Sequence, residues 1–283
     1  MRKIVVVVCL LSLTFAACGR NDRPVVDATP EPTTINVEAA ESTGGTYKFG
    51  VDATAVVDNL ASVVVKNTGA EPHQAALLKV ADGKTIDDLK AFLGSQGAPA
   101  GPPPFTVGGG TMVVDPGGST TVTQALPAGT YAFMCFVPGP DGAPHFVKGM
   151  FAPITITGNS TTSLPLPDGE NSTATEFKYE LPSLKAGTTV LRVKNSGQQD
   201  HEYQLGRVAD GKTADDALNW LKTHQGAPPL SLIGGSLVGR GGGTNSFKLN
   251  LKKGTYVVSC GLPDSADGKS HLEKGMFQSV TIT

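Results

Sequence analysis

The sequence predicts an all-β fold made of two Greek-key β-sandwiches in tandem, each carrying one short inserted helix. Three observations lead there. The chain repeats itself: the offset is 128 from His73 to His201 and from Asp82 to Asp210, 125 from Cys135 to Cys260, and 126 from Met150 to Met276. Short runs rich in β-branched and aromatic residues recur between Gly and Pro clusters, as strands between turns do. Each copy has a single helix signature, placed after the same DGKT tetrapeptide. A repeat of ~120 residues is the usual size of one domain.

The N-terminus comes first. Arg2 and Lys3 precede an apolar run from Ile4 to Leu13, with small residues after it, which is the pattern of an export signal over residues 1–17. The run is short for a membrane span. Ala16-Ala17-Cys18-Gly19 resembles the lipobox of bacterial lipoproteins, in which the cysteine is acylated; Phe15 stands where an aliphatic residue is usual. Residues 18–43 then read as a lipidated N-terminus at Cys18 followed by a flexible tether, because 20–43 is rich in Pro, Thr, Asp and Glu. The expected location is the cell envelope: anchored in the periplasm or on the cell surface, touching the membrane through the lipid alone.

The first repeat occupies 44–158 and the second 159–283. Strand-like runs include Ser62–Lys66, Gln74–Val80, Thr120–Gln124, Thr130–Phe136 and Phe151–Thr157, and the second copy closes on Val280-Thr281-Ile282-Thr283. Thr85 with Asp88, and Thr213 with Asp216, have the spacing of capping boxes. Ile86, Leu89 and Leu93, and likewise Ala214, Ala217, Leu218 and Leu221, follow at helical spacing. The Pro/Gly-rich stretch from Gly94 to Gly110 reads as a long loop beside the site.

Chemistry concentrates in four residues that occur twice in the same order: His73, Cys135, His145 and Met150, then His201, Cys260, His271 and Met276. The chain has five histidines, and only His224, at a helix end, lies outside the sets. One thiolate, two imidazoles and a thioether are the donors of a blue-copper electron-transfer centre. Zinc also accepts two histidines and a cysteine. Cys9 leaves with the signal, so Cys135 and Cys260 are free to form a disulfide, to stay as buried thiols, or to bind metal. A disulfide would require strands of two separate domains to approach to ~6 Å between Cα atoms.

These residues carry a family resemblance. Asn67-Thr68-Gly69 precedes His73 and Asn195-Ser196-Gly197 precedes His201; Gly-Thr-Tyr opens the strand reaching each cysteine; and the second histidine and the methionine follow in the next loop. The chain resembles a pair of cupredoxin domains over nearly all of residues 44–283. Four residues separate His145 from Met150 and His271 from Met276, while nine separate Cys135 from His145 and ten separate Cys260 from His271. The long loop, with Pro144-His145 and Gly149-Met150, resembles the type 1 site of copper nitrite reductases; the second copy has Ser270 before His271. The resemblance implies up to two copper ions, with His73, Cys135 and His145 in the trigonal plane and Met150 axial.

Other classes fit less well. The formal net charge of −2 becomes −4 once Arg2 and Lys3 leave, and no basic patch interleaves with aromatic residues, so nucleic acid is not an expected partner. Multicopper oxidases and nitrite reductases need a second copper centre with additional histidines. Met134 and Ser259 precede the cysteines, and no His-x-His occurs, so the expected protein is not an enzyme. Two readings stand at this point: an exported copper protein for electron transfer or copper carriage, served by a redox partner protein, and a metal-free cupredoxin-like binding module at the cell surface.

Overall fold

The computed structural model describes residues 31–42, 45–56, 59–95, 101–158 and 165–283. The export signal, Cys18 and the first part of the expected tether lie outside them. In the first half the elements are β1 (Thr33–Glu41), β2 (Tyr47–Val51), β3 (Ala55–Val56), β4 (Leu60–Asn67), β5 (Ala76–Val80), α1 (Ile86–Leu93), β6 (Phe105–Gly110), β7 (Ser119–Ala125), β8 (Gly129–Met134) and β9 (Phe151–Ile156). In the second they are β10 (Glu170–Thr175), β11 (Lys178–Glu180), β12 (Gly187–Asn195), β13 (His201–Val208), α2 (Ala214–Thr223), β14 (Leu230–Val238), β15 (Thr244–Leu251), β16 (Gly254–Ser259) and β17 (Phe277–Ile282). Among the described residues no helix is long and apolar enough to cross a membrane.

The fold is all-β, built as two sandwiches that share one sheet. The shared sheet has eight strands in the order β11-β10-β12-β15-β7-β4-β1-β2, and it is backed by β3-β9-β8-β5-β6 in the first half and by β14-β13-β16-β17 in the second. The first core packs Ile35, Val37, Val63 and Val65 of the shared sheet against Leu77, Tyr131, Phe133 and Ile154 of the five-stranded sheet. The second packs Leu191, Val193 and Phe247 against Tyr203, Leu205 and Val258. Both helices lie on the outside: Leu89 of α1 meets Leu78, Val80, Ala132 and Met134, and Ala217 of α2 meets Val208, Leu230 and Val257. Both capping boxes form, each Thr side chain accepting from an Asp backbone N–H while the Asp carboxylate accepts from the Thr backbone. His224 caps α2 in the left-handed conformation and is exposed.

Two expectations are corrected. Residues 33–41 of the expected tether are strand β1, paired parallel to β4 with Ile35 opposite Val63 and Val37 opposite Val65, and antiparallel to β2. Composition suggests a solvated linker there, but the period-two pattern Ile35, Val37, Ala39 buries one face once two neighbours supply hydrogen bonds. The Gly94–Gly110 loop also ends early, since Phe105–Gly110 is β6, paired with β5 through a register shift. The glycines mark close backbone approach: Gly110 has φ +93°, and a Cβ there would collide with the Ala75 carbonyl.

The halves are joined along β7 and β15, which pair antiparallel with Val122 opposite Phe247. Those two positions are equivalent in the repeat, so the pairing is pseudo-two-fold. A second seam supports it. Met112 N–H donates to the Gly235 carbonyl and Gly234 N–H to that of Val113. The Gln204 side chain accepts from Val113 N–H at 2.8 Å and donates to its carbonyl at 3.0 Å. Pro32–Thr283 is consequently one compact unit. Phe247 is 1% exposed at the seam. Phe247→Ala is expected to cost about 3–5 kcal/mol, with both halves unfolding in one denaturant transition; two separate transitions would show the halves to be independently stable.

Candidate metal centres

Each histidine–cysteine group is held by backbone bonds that the sequence repeats. Asn67 is buried and staples the loop before His73. Its side-chain amide donates to the carbonyls of Glu71 (2.8 Å) and Val114 (3.0 Å), and its carbonyl oxygen accepts Gly69 N–H (2.9 Å). Asn195 makes the same three bonds to Gln199, Val238 and Gly197. Gly69 is required because a Cβ there would collide with the Glu41 carboxylate and lie 2.9 Å from His73 Nε2. His73 N–H and C=O both bond to Val114, while His201 opens β13.

The cysteines sit one residue beyond β8 and β16. Backbone N–H groups point at both sulfurs, from Gln74 to Cys135 Sγ at 3.5 Å and from Glu202 to Cys260 Sγ at 3.3 Å. The long loops do not separate cysteine from histidine, because each folds into a small hairpin. Pro138 bridges Pro144, and Pro263 bridges Ser270. His145 N–H then donates to Val137 and His271 N–H to Leu262. Met150 N–H bonds to the His145 carbonyl and Met276 N–H to that of His271, while each methionine carbonyl accepts from its cysteine N–H. Both methionines are fully buried, in the same core clusters as the cysteines.

The side chains converge. In the first group His73 Nδ1 and His145 Nδ1 are 3.1 Å apart, and Cys135 Sγ lies 3.9 Å and 3.4 Å from them. In the second, His201 Nδ1 and His271 Nδ1 are 3.2 Å apart, and Cys260 Sγ is 3.3 Å from His271 Nδ1. All six residues are buried, and both cysteines are free thiols. The donor atoms of each group lie within 4.8 Å of one another. Metal–nitrogen lengths of ~2.0–2.1 Å and a metal–sulfur length of ~2.3 Å set donor atoms about 3.4–3.8 Å apart around one ion. The two groups therefore fit a small thiophilic cation.

The surroundings of the two groups differ, and the repeat does not reveal this. His73 Nε2 meets Glu41 Oε2 at 2.6 Å and His145 Nε2 meets Glu71 Oε2 at 3.0 Å; Glu71 also accepts from the Tyr47 hydroxyl at 2.8 Å. Tyr47 stacks on His145 with ring centres 4.5 Å apart. In the second group Phe177 takes that place against His271. Gln199 replaces Glu71 and bonds to Asp264 and Ser265 instead. His201 Nε2 and His271 Nε2 are buried and make no hydrogen bond among the described residues.

Burial dominates the proton chemistry. It pushes the Cys135 thiol up to about 11 and raises that of Cys260 further. It also lowers His145, His271 and His201, the last to about 4, with the neighbouring imidazole adding to the effect at His145 and His201. Burial alone would raise Glu41, but the His73 hydrogen bond and the Ala70 and Glu71 N–H groups hold it below the usual carboxylate range. Glu202, half-buried beside Cys260, is raised to about 7 by desolvation.

The structure thus gathers the histidines and cysteines of both expected sets and buries the two methionines beside them. Glu41, Glu71 and Tyr47 escape sequence reasoning, because the second copy does not repeat them as a set. No protein-family model matches the chain, and no curated protein matches it. Among solved structures, it is similar to reduced auracyanin from Roseiflexus castenholzii at 24% identity, over 45% of this chain and 98% of that one, with a TM-score of 0.29. It is similar to auracyanin A, a blue copper protein of Chloroflexus aurantiacus, at 20% identity over 44% and 98%, with a TM-score of 0.28. It is also similar to the copper nitrite reductase of Nitrosomonas europaea at 13% identity over 89% and 94%, again with a TM-score of 0.28.

Proposed function

We propose that the chain is an exported, lipid-anchored cupredoxin-like protein that carries up to two copper ions and passes single electrons to a partner protein. The observation that carries this reading is the duplicated convergence of two Nδ1 atoms and one Sγ, fully buried, on hairpins pinned by the same hydrogen bonds. Bound copper supplies a one-electron couple between its monovalent and divalent states. The protein residues do the rest. Cys135 and Cys260 give thiolates whose charge is offset by the backbone N–H groups of Gln74 and Glu202. His73, His145, His201 and His271 give imidazole nitrogens whose backbone positions are pinned by hydrogen bonds. Met150 and Met276, buried in the same core clusters as the cysteines, would offer a thioether to complete the donor set and tune the couple. A donor set that is already assembled needs little rearrangement when its charge changes, which favours electron passage. Burial of the whole set also offers no open face to a small substrate, which favours carriage over catalysis.

The test is a copper titration of the fragment 20–283, with visible absorption and metal analysis. An intense thiolate-to-copper band at one or two ions per chain is the expected result. A colourless, metal-free protein would overturn the reading and leave a binding module whose quartets are core residues.

A further inference from the structure

The two candidate centres share a donor set but not the groups that hold it. In the first, both imidazoles turn Nε2 toward a carboxylate, Glu41 at 2.6 Å and Glu71 at 3.0 Å. A carboxylate there accepts an N–H, so when both rings are neutral both Nδ1 atoms carry lone pairs and face each other at 3.1 Å. Two lone pairs at that distance repel, and the single thiol proton of Cys135 can relieve only one of them. A cation between them relieves both. In the second centre neither Nε2 has a partner among the described residues. One ring there can move its proton to Nδ1 and donate to the other ring across 3.2 Å, so the empty site relaxes by a tautomer change that ion binding must then reverse.

Acidic residues are as numerous around the second centre, but none of them hydrogen-bonds the outer nitrogen of either imidazole there. Glu176, in the place of Glu41, accepts Gln198 N–H. Asp200 accepts Arg240 N–H and Glu202 accepts Gly261 N–H. Asp264 binds Lys274 and the Gln199 amide. The difference between the centres is therefore the direct imidazole–carboxylate bond rather than the local charge. Groups that accept the outer N–H of a ligating histidine fix its tautomer and raise its basicity, and losing one costs ~10–100-fold in metal affinity.

We infer that Glu41 and Glu71 are positioning residues that make the His73–Cys135–His145 centre the tighter one, so that ions fill it before the His201–Cys260–His271 centre. This rests on the metal-binding reading above. The experiment uses the full chain and Co(II), whose thiolate charge-transfer band reports a cysteine-bound ion, titrated against a competing chelator. Cys260→Ser isolates the first centre and Cys135→Ser the second. The first is expected to bind at least ~10-fold more tightly. Adding Glu71→Gln to the Cys260→Ser chain is expected to loosen binding by ~10-fold or more, with the band retained but shifted in energy. A merely structural role for Glu71 would leave the band where it was. Glu41→Gln is the second variant; since Glu41 also accepts Ala70 and Glu71 N–H, Glu71→Gln is the cleaner test. Equal affinities of the two centres, or an unchanged affinity in Glu71→Gln, would overturn the inference and leave the metal-binding reading standing. Absence of Co(II) binding at both centres would overturn both.

Discussion

The double variant Cys135→Ser, Cys260→Ser is expected to lose the thiolate-to-copper absorption completely while keeping the β-sandwich signature in far-ultraviolet circular dichroism. Each cysteine supplies the sole sulfur anion of its group, and a serine hydroxyl is a far poorer ligand for a soft ion. The fold should survive, since the substitution is nearly isosteric and the new hydroxyl has a neighbour within reach. At Cys135 that neighbour is His145 Nδ1, 3.4 Å from the sulfur; at Cys260 it is His271 Nδ1, at 3.3 Å. A buried hydroxyl with a partner costs at most ~1–3 kcal/mol. Each single variant should remove one half of the colour. Full colour in the double variant would mean that copper is held elsewhere, and the assignment of both centres would fall.

Acid is expected to weaken the metal-free protein as pH falls from about 6.5 toward 4. His201 is lowered to about 4, and His145 and His271 are lowered in the same direction. The unfolded chain, with histidine near ~6.5, therefore binds more protons than the folded one in that window, so stability rises with pH across it. The contribution is complete above the unfolded value and is lost as pH descends through the folded one. Glu202 works the other way. Raised to about 7, it favours the folded state as it takes up a proton between 7 and its unfolded value. Three histidines outweigh one carboxyl, and Glu202→Gln should steepen the acid loss. Denaturant unfolding at several pH values measures both. Metal should add stability at neutral pH: an ion at a thousand times its dissociation constant contributes about 4 kcal/mol. A metal-free protein equally stable at pH 4.5 and 6.5 would show that these imidazoles are more solvated than their burial implies.

Much of this arrangement is legible in the residues. Alternation and turn chemistry locate β4, β5, β7, β8 and β9 to within a few residues. The Thr-x-x-Asp pairs locate both helix starts, because a capping box is a local interaction set by spacing alone. β1 is not legible in the same way. Its hydrogen bonds come from β2 and β4, so its alternating pattern lies hidden in a composition that reads as linker. The seam between the halves is equally hidden. Val122 and Phe247 look like ordinary core residues until β7 and β15 pair across the repeat.

The sequence by itself determined that the chain is a duplicated β-sandwich protein with two histidine–cysteine–methionine sets, because the repeat and the rarity of His and Cys make those sets conspicuous. Only the tertiary structure decided that the donor atoms meet, that long loops keep them together by folding into hairpins, and that the sets are unequal. Glu41 lies 32 residues from His73 in sequence and Glu71 lies 74 from His145. Contacts across such separations depend on how strands and loops are brought side by side, and no local pattern records them.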